Sequence, residues 1–445
     1  MHSDQGAGQA WAAPAATGPV SARVRLPASK SITNRALVLA ALGGRPAVIG
    51  NPLLARDTTL ALGALRALGN EVTSSDHDGR TSWHIAPGQP APGREVGVDV
   101  GNAGTVMRFV PALAALTSAT VRFDGDERAR ERPVGPILAA LRRLGADIDD
   151  GGRGAVPFTV RGSGSVRGGP VTLDASGSSQ LVSGLLLAAP RFERGVQIRH
   201  EGPPVPSAPH IAMTVRMLRA AGAEVSELSS HPGGRPDAWR VAPGPIELGT
   251  VTVEPDLSNA GPFLAAALVT GGTITVADWP RDSLQAAGQI LDVLTRMGAS
   301  CEAGEAGMRI TGSGRVHGIT ADLRDVPELG QVLTAVATMA DSPSVFTGLA
   351  HTRDQETDRL AAVAKEINAL GGDITELPDG LEIRPRPLRA DAGRPFGTYD
   401  DHRMVMAAAV IGLATPGLRV GNVATVAKTF PGFTDVWAQM LEPGR

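Results

Sequence analysis

Residues 65–72, LRALGNEV, join a short helix-like segment, a glycine and the start of a strand-like run. The same order of residue types returns as LRRLGADI, LRAAGAEV, LTRMGASC and INALGGDI, with the glycines at positions 69, 145, 222, 298 and 371. A glycine in this place is typical of the left-handed residue that ends a helix, so each copy predicts a helix followed by a strand. The closing segment WAQMLEPGR supplies the helix of a sixth copy.

A second series of segments, rich in small and apolar residues, runs in phase with the first. They begin at Ser31, Thr105, Ser179, Ser258, Glu328 and His402. Because they are apolar nearly all round, they predict buried helices. Their polar first residues mark helix N-termini, which attract anions through unpaired N–H groups and the helix dipole. Capping alone would explain one such serine or threonine. It does not explain the cations at the same ends, which are Lys30, Arg35, Arg108 and Arg403.

Six units of about 75 residues indicate an α/β protein of two globules with three units each, which fits the usual size of a domain. We expect the boundary near residues 240–249, after the third glycine segment. A ligand is expected in the cleft between the globules.

The composition is that of an ordinary globular protein of 445 residues, with 42% hydrophobic and 20% charged residues. A net charge of −3 argues against a nucleic-acid surface, and no apolar run reaches membrane-spanning length. Residues 1–18 lack the features of a secretory signal and predict a disordered tail. The single cysteine excludes an internal disulfide and a cysteine-based zinc site, and it indicates the cytoplasm.

Lysine is rare in this chain, since only three of its 42 basic residues are lysines. A lysine is a compact donor with a tunable pKa, whereas an arginine is a planar fork of fixed charge. Lys30 and Lys428 lie in short polar stretches, which favours a functional role. Lys365 lies in a periodic helical segment and is expected at the surface.

Seven motifs in order resemble those of the enolpyruvyl transferases, and most closely those that use 3-phosphoshikimate as acceptor. They are LPASKSITNRAL (26–37), GNAGTVMRF (101–109), ERARERP (127–133), SGSSQ (176–180), QETDRL (355–360), YDDHRM (399–404) and AKTFPGF (427–433). The resemblance runs from about residue 20 to the end. It implies the enolpyruvyl transferase fold, in which each globule has three βαβαββ units. It further implies a first globule of residues 28–247 and a second of residues 19–27 plus 248–445, with the active site in the cleft between them.

The implied reaction transfers the enolpyruvyl group of phosphoenolpyruvate to the 5-hydroxyl of 3-phosphoshikimate, a step of the shikimate pathway to chorismate and the aromatic amino acids. The implied catalytic residues are Lys30, Glu328 and Glu356. The implied ligands of 3-phosphoshikimate are Lys30, Ser31, Arg35, Ser178, Ser179, Gln180, Ser207, Glu328 and Gln355. Those of phosphoenolpyruvate are Lys30, Asn102, Gly104, Arg128, Gln180, Arg359, Arg403 and Lys428. The resemblance implies a cytoplasmic monomer without cofactor or metal, whose partners are these two substrates and neither nucleic acid nor a membrane.

Four residues depart from the family's pattern. Ala28 replaces a common glycine, Glu328 a common aspartate, His351 a common asparagine and Gln355 a frequent lysine. None removes a group that bond making needs. Gln355 lacks the positive charge through which the family's lysine would contact the shikimate phosphate.

Several motifs have a second interpretation. Glu356 and Arg359 could form an ordinary pair three residues apart on a solvated helix. Asp401 before His402 is typical of a helix cap rather than a metal ligand. The run 122–132 mixes charges as solvated faces do, and only Arg128 is singled out from it.

Alternative functions are also open. A sister family that joins enolpyruvate to a UDP-sugar generally uses a cysteine, but Cys301 aligns with Val72, Ile148, Val225 and Ile374 and is expected as a buried strand residue. A non-catalytic phosphoester-binding protein is disfavoured by Lys30, Glu328 and Glu356. An RNA-end-processing enzyme is disfavoured by the negative net charge.

Overall fold

The computed structural model describes residues 10–442 and divides the chain into two compact units. The first globule is Ala28–Glu254. The second globule consists of the chain up to Pro27 and the chain from Pro255 onward. Within the described residues, no helix combines the length and the apolar character that a membrane span requires.

The α-helices of both globules are numbered in chain order. They are α1 Lys30–Leu42, α2 Arg56–Ala67, α3 Gly104–Ala115, α4 Gly135–Arg143, α5 Ser179–Ala188, α6 Ala208–Ala220, α7 Gly261–Thr270, α8 Ala287–Arg296, α9 Gly330–Ala337, α10 Arg359–Ala369, α11 His402–Ala414 and α12 Phe433–Leu441. Short 3₁₀ helices lie at Glu127–Arg130, Ala189–Arg191, Leu257–Ala260, Pro327–Leu329, Ala350–Asp354 and Val423–Lys428.

The strands are numbered in the same way. They are β1 Trp11–Ala12, β2 Ser21–Val24, β3 Ala47–Gly50, β4 Glu71–His77, β5 Arg80–Ala86, β6 Glu95–Asp99, β7 Thr120–Asp124, β8 Asp147–Asp149, β9 Phe158–Arg161, β10 Gly169–Leu173, β11 Val196–His200, β12 Val225–Leu228, β13 Ala238–Val241, β14 Thr250–Thr252, β15 Thr273–Val276, β16 Ala299–Gly304, β17 Gly307–Gly312, β18 Thr320–Asp322, β19 Ser344–Thr347, β20 Asp373–Leu377, β21 Gly380–Arg384 and β22 Arg419–Val420.

The helices predicted to be buried form the centre of each globule. In the first globule α1, α3 and α5 contact one another, and in the second α7, α9 and α11 do so. Every residue of α3 is buried, whereas α8 buries only Ile290, Val293 and Leu294. The small apolar segments therefore become inner helices, and the amphipathic ones lie outside them, as their patterns predict.

The glycine signature is confirmed at all five positions. Gly69, Gly145, Gly222, Gly298 and Gly371 have φ angles of 90°, 107°, 93°, 110° and 91°, a region that residues with a side chain rarely adopt. They follow α2, α4, α6, α8 and α10 and precede β4, β8, β12, β16 and β20. The same local pattern of residues therefore forms the same kind of helix end five times.

Each complete unit folds as βαβαββ. In the third, β10 pairs in parallel with β11, and β13 lies antiparallel between β11 and β12. The sheets β14-β3-β5-β4, β6-β7-β9-β8, β16-β17-β15-β2 and β18-β19-β21-β20 repeat this order. Their inward side chains alternate with outward ones, as in β6 and β11.

The sixth unit is reduced among the described residues. It consists of α11, the two-residue strand β22 and α12, with β22 paired to β1. Phe396 forms a single parallel bridge to Val420, in the place that a first strand holds in the other units.

The predicted disordered tail is wrong for residues 10–18. Trp11 and Ala12 pair with Val420 and Arg419, and the Ala13 N–H donates to the Leu418 carbonyl over 2.9 Å. The segment is ordered because it supplies the missing partner of a strand edge. Residues 1–9 of the predicted tail lie outside the described residues.

The globule boundary lies at residues 254–255 rather than 247–248. The reason is β14, whose Thr250 and Val251 pair in parallel with Val48 and Ile49 of β3. The chain therefore completes the first unit's sheet before it leaves the first globule.

Cys301 lies in β16 opposite Ile310, as its alignment with the other strand residues predicts. It is half-buried rather than buried. Its Sγ lies 3.5 Å from Thr295 Oγ1 on the neighbouring α8, at the rim of the sheet.

Candidate active site

Lys30 is the first residue of α1 and lies beside a carboxylate. Ser29 caps the helix by accepting from the Ile32 N–H over 3.4 Å. Lys30 Nζ lies 3.2 Å from Asp57 Oδ2 in the first turn of α2, with the two side chains 22% and 11% exposed. A compact ammonium is thus held at the positive end of a helix, where an anionic ligand would be favoured.

Arg35 lies one turn into α1 and is almost completely buried. Its Nε donates to Thr214 Oγ1 over 2.7 Å, and Nη2 donates to Ser183 Oγ over 3.2 Å and to the His210 carbonyl over 3.0 Å. Among the described residues, no carboxylate pairs with this guanidinium. Burial therefore lowers the pKa of Arg35 to about 9. Its position is suited to an anion, whose negative charge would stabilise the buried guanidinium and raise its pKa again.

The N-terminus of α3 is surrounded by two guanidinium groups and an amide side chain. A Cβ on Gly104 would lie 2.8 Å from Arg132 Nη2, 2.9 Å from Arg108 Nη1 and 3.1 Å from Gln180 Oε1. Arg132 Nη1 donates to the carbonyl and to Oδ1 of Asn102 over 2.7 Å and 2.8 Å. The structure therefore brings three predicted site residues together, namely Asn102, Gly104 and Gln180.

The predicted serines lie at the starts of α5 and α6. Ser178 caps α5 by accepting from the Gln180 N–H over 3.2 Å, and Ser179 is buried. Ser207 precedes α6 in a left-handed conformation with a φ of 52°, which is rare for a residue with a side chain. Arg35 contacts both helices, through Ser183 and Thr214, so these serines belong to the same part of the first globule as α1.

Arg128 lies further out than the other predicted cations. It sits in the 3₁₀ helix Glu127–Arg130, is 38% exposed and forms an ion pair with Glu131. Arg130 pairs with Asp124 in the same surface region. The mixed run is a solvated face, as predicted, except for the buried Arg132.

In the second globule, Arg359 is the centre of a buried charge cluster. Its Nε lies 2.7 Å from Asp401 Oδ2, its Nη2 lies 2.8 Å from Glu356 Oε2, and its Nη1 donates to Gln355. Burial disfavours the charged guanidinium, but the Asp401 and Glu356 carboxylates hold the pKa of Arg359 above its ordinary value. The pair of Glu356 and Arg359 exists, but it is buried and not on a solvated helix.

Arg403 is the second residue of α11 and is directed toward the 3₁₀ helix that leads into α7. Its Nη1 donates to the Ser258 carbonyl over 2.9 Å and its Nη2 to Ser258 Oγ over 2.7 Å. Its buried Nε has no hydrogen-bond partner in the described chain. Burial lowers the pKa of Arg403, and the charge of Asp256 opposes that shift. Asp401 caps the helix by accepting from the Arg403 N–H over 2.8 Å, as predicted.

Glu328 lies in the turn before α9 and its charge reaches His351, Arg359 and Arg403. Burial lowers the pKa of His351 to about 4, although the Glu328 carboxylate opposes this shift. Within residues 10–442, the buried Nε2 of His351 has no hydrogen-bond partner. His351 is therefore a neutral imidazole beside a carboxylate.

Lys428 ends the 3₁₀ helix Val423–Lys428, and its Nζ donates to the Asp400 carbonyl over 2.7 Å. Asp400 adjoins Asp401, so Lys428 and Arg359 are held by neighbouring residues of one segment. Lys365, in contrast, is exposed on α10, as predicted.

Sequence reasoning missed the partners of the predicted cations. They are Asp57 for Lys30, Asp401 for Arg359, Ser258 for Arg403 and Asp400 for Lys428, together with Arg132 near Gly104. Asp401 and Ser258 were noted only as features of helix starts. The one signal that could have placed Asp401 and Ser258 near a site is their position in the repeat. Each lies at the start of an inner helix, as Lys30 does in the first unit.

Comparisons with known proteins bear on the fold and the family of this chain. The family model described as EPSP synthase (3-phosphoshikimate 1-carboxyvinyltransferase) matches residues 14–437. A 3-phosphoshikimate 1-carboxyvinyltransferase of Kocuria rhizophila is 48% identical over 437 residues, which cover 97% of this chain and 96% of that protein. Two structures of EPSP synthase from Acinetobacter baumannii, each 24% identical, match with TM-scores of 0.78 and 0.76, covering 96% of this chain and 97% of theirs.

The two structures support the fold, and the family model and the relative support the enzyme class. The predicted enolpyruvyl transferase fold and the predicted transferase class are therefore confirmed. The chain belongs to the EPSP synthase (3-phosphoshikimate 1-carboxyvinyltransferase) family.

Proposed function

We propose how the side chains described above divide the work of the reaction that this chain catalyses. That reaction transfers the enolpyruvyl group of phosphoenolpyruvate to the 5-hydroxyl of 3-phosphoshikimate and releases phosphate, within the shikimate pathway. The observation that carries the proposal is the burial of guanidinium groups at the starts of inner helices. Arg35 and Arg403 are 1% and 5% exposed, and neither forms an ion pair with a carboxylate of the described chain. A buried cation without a counter-ion is costly, and a phosphorylated substrate would supply the missing charge.

The 3-phosphoshikimate ligands are assigned mainly to the first globule. Arg35 and the starts of α1, α5 and α6 present a guanidinium, hydroxyl groups and unpaired backbone N–H groups, which suit a phosphate and the hydroxyls of the ring. The proposed ligands there are Lys30, Ser31, Arg35, Ser178, Ser179, Gln180 and Ser207. Glu328 and Gln355 are the proposed ligands from the second globule.

Phosphoenolpyruvate is assigned to cationic groups of both globules. In the first, Gly104 leaves room at the start of α3 between the side chains of Arg108, Arg132 and Gln180. In the second, Arg359 and Arg403 lie at helix starts, where the dipole adds to their charge. The full proposed set is Lys30, Asn102, Gly104, Arg128, Gln180, Arg359, Arg403 and Lys428.

The chemistry is an addition followed by an elimination. A proton adds to the methylene carbon of phosphoenolpyruvate while the 5-hydroxyl oxygen bonds to the neighbouring carbon and loses its proton. The resulting tetrahedral intermediate then releases phosphate and one methyl proton, which restores the enol double bond. Lys30, Glu328 and Glu356 are the proposed groups for these proton transfers, since each is a titratable side chain beside an opposite charge.

Two of the four departures from the family's pattern fit these roles. Gln355 accepts from Arg359, so it supports the arginine in addition to its proposed contact with substrate. Glu328 is longer than aspartate by one methylene group, and its carboxylate still influences both Arg359 and Arg403.

We also propose that the enzyme works as a monomer in the cytoplasm. The large hydrophobic side chains that are exposed among residues 10–442 are Leu54, Leu228 and Tyr399, three single residues far apart in the sequence. Light scattering during gel filtration would test the monomer, and a concentration-independent mass near 45.7 kDa is expected.

Phosphate release tests the reaction and the role of Lys30 together. Wild type is expected to release phosphate from phosphoenolpyruvate only when 3-phosphoshikimate is present. Lys30→Arg should lose activity by about 100-fold or more, because a planar fork cannot replace a compact donor between two ligands. Lys365→Arg is the control at an exposed lysine, and it should match wild type because an arginine can keep the cation–π contact of Lys365 with the Tyr399 ring. No release by wild type with both substrates would contradict the function, and full activity in Lys30→Arg would contradict the role of that lysine.

A further inference from the structure

Glu366 is a buried carboxylate on α10 that the reaction does not use directly. It is 2% exposed and lies two helical turns after Arg359, on the same side of the helix. Its oxygens accept from Arg394 Nη2 over 2.8 Å and 2.9 Å, from the Gly397 N–H over 3.0 Å and from the Tyr399 hydroxyl over 2.6 Å. A carboxylate that is so fully hydrogen-bonded fixes the groups around it.

All three donors belong to the segment before α11, and this segment has an unusual backbone. Tyr399 and Asp400 have φ angles of 52° and 54°, so two consecutive residues with side chains are left-handed. Such a conformation persists only where its surroundings enforce it. Burial and the hydrogen bond to Glu366 raise the pKa of Tyr399 to about 12, which keeps the phenol protonated as a donor. Thr398 adds a hydrogen bond to the Gly421 carbonyl over 3.0 Å.

The same turn, with the adjoining Asp401, also contacts the proposed phosphoenolpyruvate ligands of the second globule. The Asp400 carbonyl accepts from Lys428 Nζ over 2.7 Å and from Thr425 Oγ1 over 2.8 Å. The Asp401 carboxylate accepts from the Arg359 side chain and caps α11 by accepting from the Arg403 N–H. A change in the backbone at residues 399–400 would therefore move the partners of the Lys428 and Arg359 side chains, and the cap of the helix that carries Arg403.

We propose that Glu366 is a positioning residue for phosphoenolpyruvate binding. By holding Gly397 and Tyr399, it enforces the left-handed turn that places Asp400 and Asp401. These in turn orient Lys428 and Arg359. The inference rests on the proposed function, in which these two cations bind phosphoenolpyruvate. The helix α10 contacts residues 399–401 at two points. Arg359 at its start pairs with Asp401, and Glu366, seven residues later, accepts from Tyr399.

Two variants test this role, with KM measured separately for each substrate in the phosphate-release assay. Glu366→Gln keeps the shape but replaces an acceptor oxygen by a donor that opposes Arg394 and Gly397. We expect its KM for phosphoenolpyruvate to rise about 10-fold to 100-fold, with the KM for 3-phosphoshikimate within about twofold of wild type, since 1.4 kcal/mol corresponds to a factor of ten. Tyr399→Phe removes one hydrogen bond at a side chain that is 38% exposed, and it should raise the same KM about threefold to tenfold.

Glu382→Gln is the matched control, since Glu382 pairs with the exposed Arg384 on β21. It should leave both KM values unchanged. If Glu366→Gln does not fold, Tyr399→Phe decides alone. Wild-type KM values in the folded variants, or equal rises for both substrates, would overturn the inference and leave the proposed function intact. An inactive wild type would overturn both.

Discussion

Arg359 and Asp401 form a bidentate ion pair in the second globule, with 2.7 Å from Nε to Oδ2 and 3.2 Å from Nη2 to Oδ1. The two side chains are 4% and 0% exposed. Removing one partner of a buried pair costs about 3–5 kcal/mol, and the lower end of this range applies here because Arg359 keeps its ion pair with Glu356. Asp401→Asn should still cap α11, because asparagine is a good cap. We therefore expect the free energy of unfolding to fall by about 3 kcal/mol and the KM for phosphoenolpyruvate to rise, as measured by urea unfolding and by phosphate release.

An exposed pair provides the comparison for this variant. Asp147 pairs with Arg161 over 3.3 Å, and both side chains are more than half exposed. Asp147→Asn should change the unfolding free energy by less than about 1 kcal/mol. Equal losses in the two variants would show that the Arg359–Asp401 pair contributes no more than a surface contact.

Gly104 is the second position with a definite expectation. An added Cβ would meet Arg132 Nη2, Arg108 Nη1 and Gln180 Oε1 at 2.8 Å, 2.9 Å and 3.1 Å. These are the ends of long side chains, which can move, so Gly104→Ala should fold normally. Displacement of these side chains should raise the KM for phosphoenolpyruvate by about tenfold, equivalent to about 1.4 kcal/mol. Gly97→Ala in β6, where a Cβ would meet no atom within 4 Å, should leave the KM unchanged.

The repeated architecture was predictable because its signals are local. A helix-ending glycine such as Gly222 requires a left-handed conformation wherever it occurs, and a segment such as 402–414 is apolar on every side. The pairing of β14 with β3 joins residues about 200 positions apart, and no local pattern records it. The ordered segment at Trp11 was missed for the same reason, since its partner is Val420.

The candidate site was predictable in its cations and not in their partners. Lys30 stood out because lysine is rare, and Arg403 because it lies at the start of a buried helix, next to its first residue His402. No feature of the sequence distinguishes Asp57 as a site residue, since an acidic residue in a first helical turn is common. Arg132 was hidden in a run of mixed charge, and only the fold separates it from the exposed Arg128.

Arg35 is expected to contribute both to the stability of the fold and to the binding of 3-phosphoshikimate. Arg35→Lys keeps the charge, but a single ammonium cannot reach Thr214, Ser183 and the His210 carbonyl together. We expect the unfolding free energy to fall by about 2 kcal/mol through unsatisfied buried groups. Saturating 3-phosphoshikimate should raise the melting temperature of wild type more than that of the variant, because stabilisation follows affinity.

Arg45→Lys is the matched control for this measurement. Arg45 lies in the first globule and pairs with Glu247 over 3.4 Å while 77% exposed. The Arg45→Lys variant should retain the wild-type free energy of unfolding and the full shift in melting temperature that 3-phosphoshikimate induces. An undiminished shift in Arg35→Lys would contradict the assignment of Arg35 to 3-phosphoshikimate.

His351 gives a pH-dependent prediction. Burial lowers its pKa from 6.5 to about 4, so between these values the unfolded chain takes up a proton that the folded chain does not. The stability contributed by neutral His351 is thus fully present above pH 6.5 and is lost as the pH falls toward 4. Between about pH 7 and pH 5, His351→Asn should lose about 2 kcal/mol less unfolding free energy than wild type in urea titrations. His77→Asn, at a side chain 92% exposed, should follow wild type, and a wild-type pH dependence in His351→Asn would contradict the neutral imidazole beside Glu328.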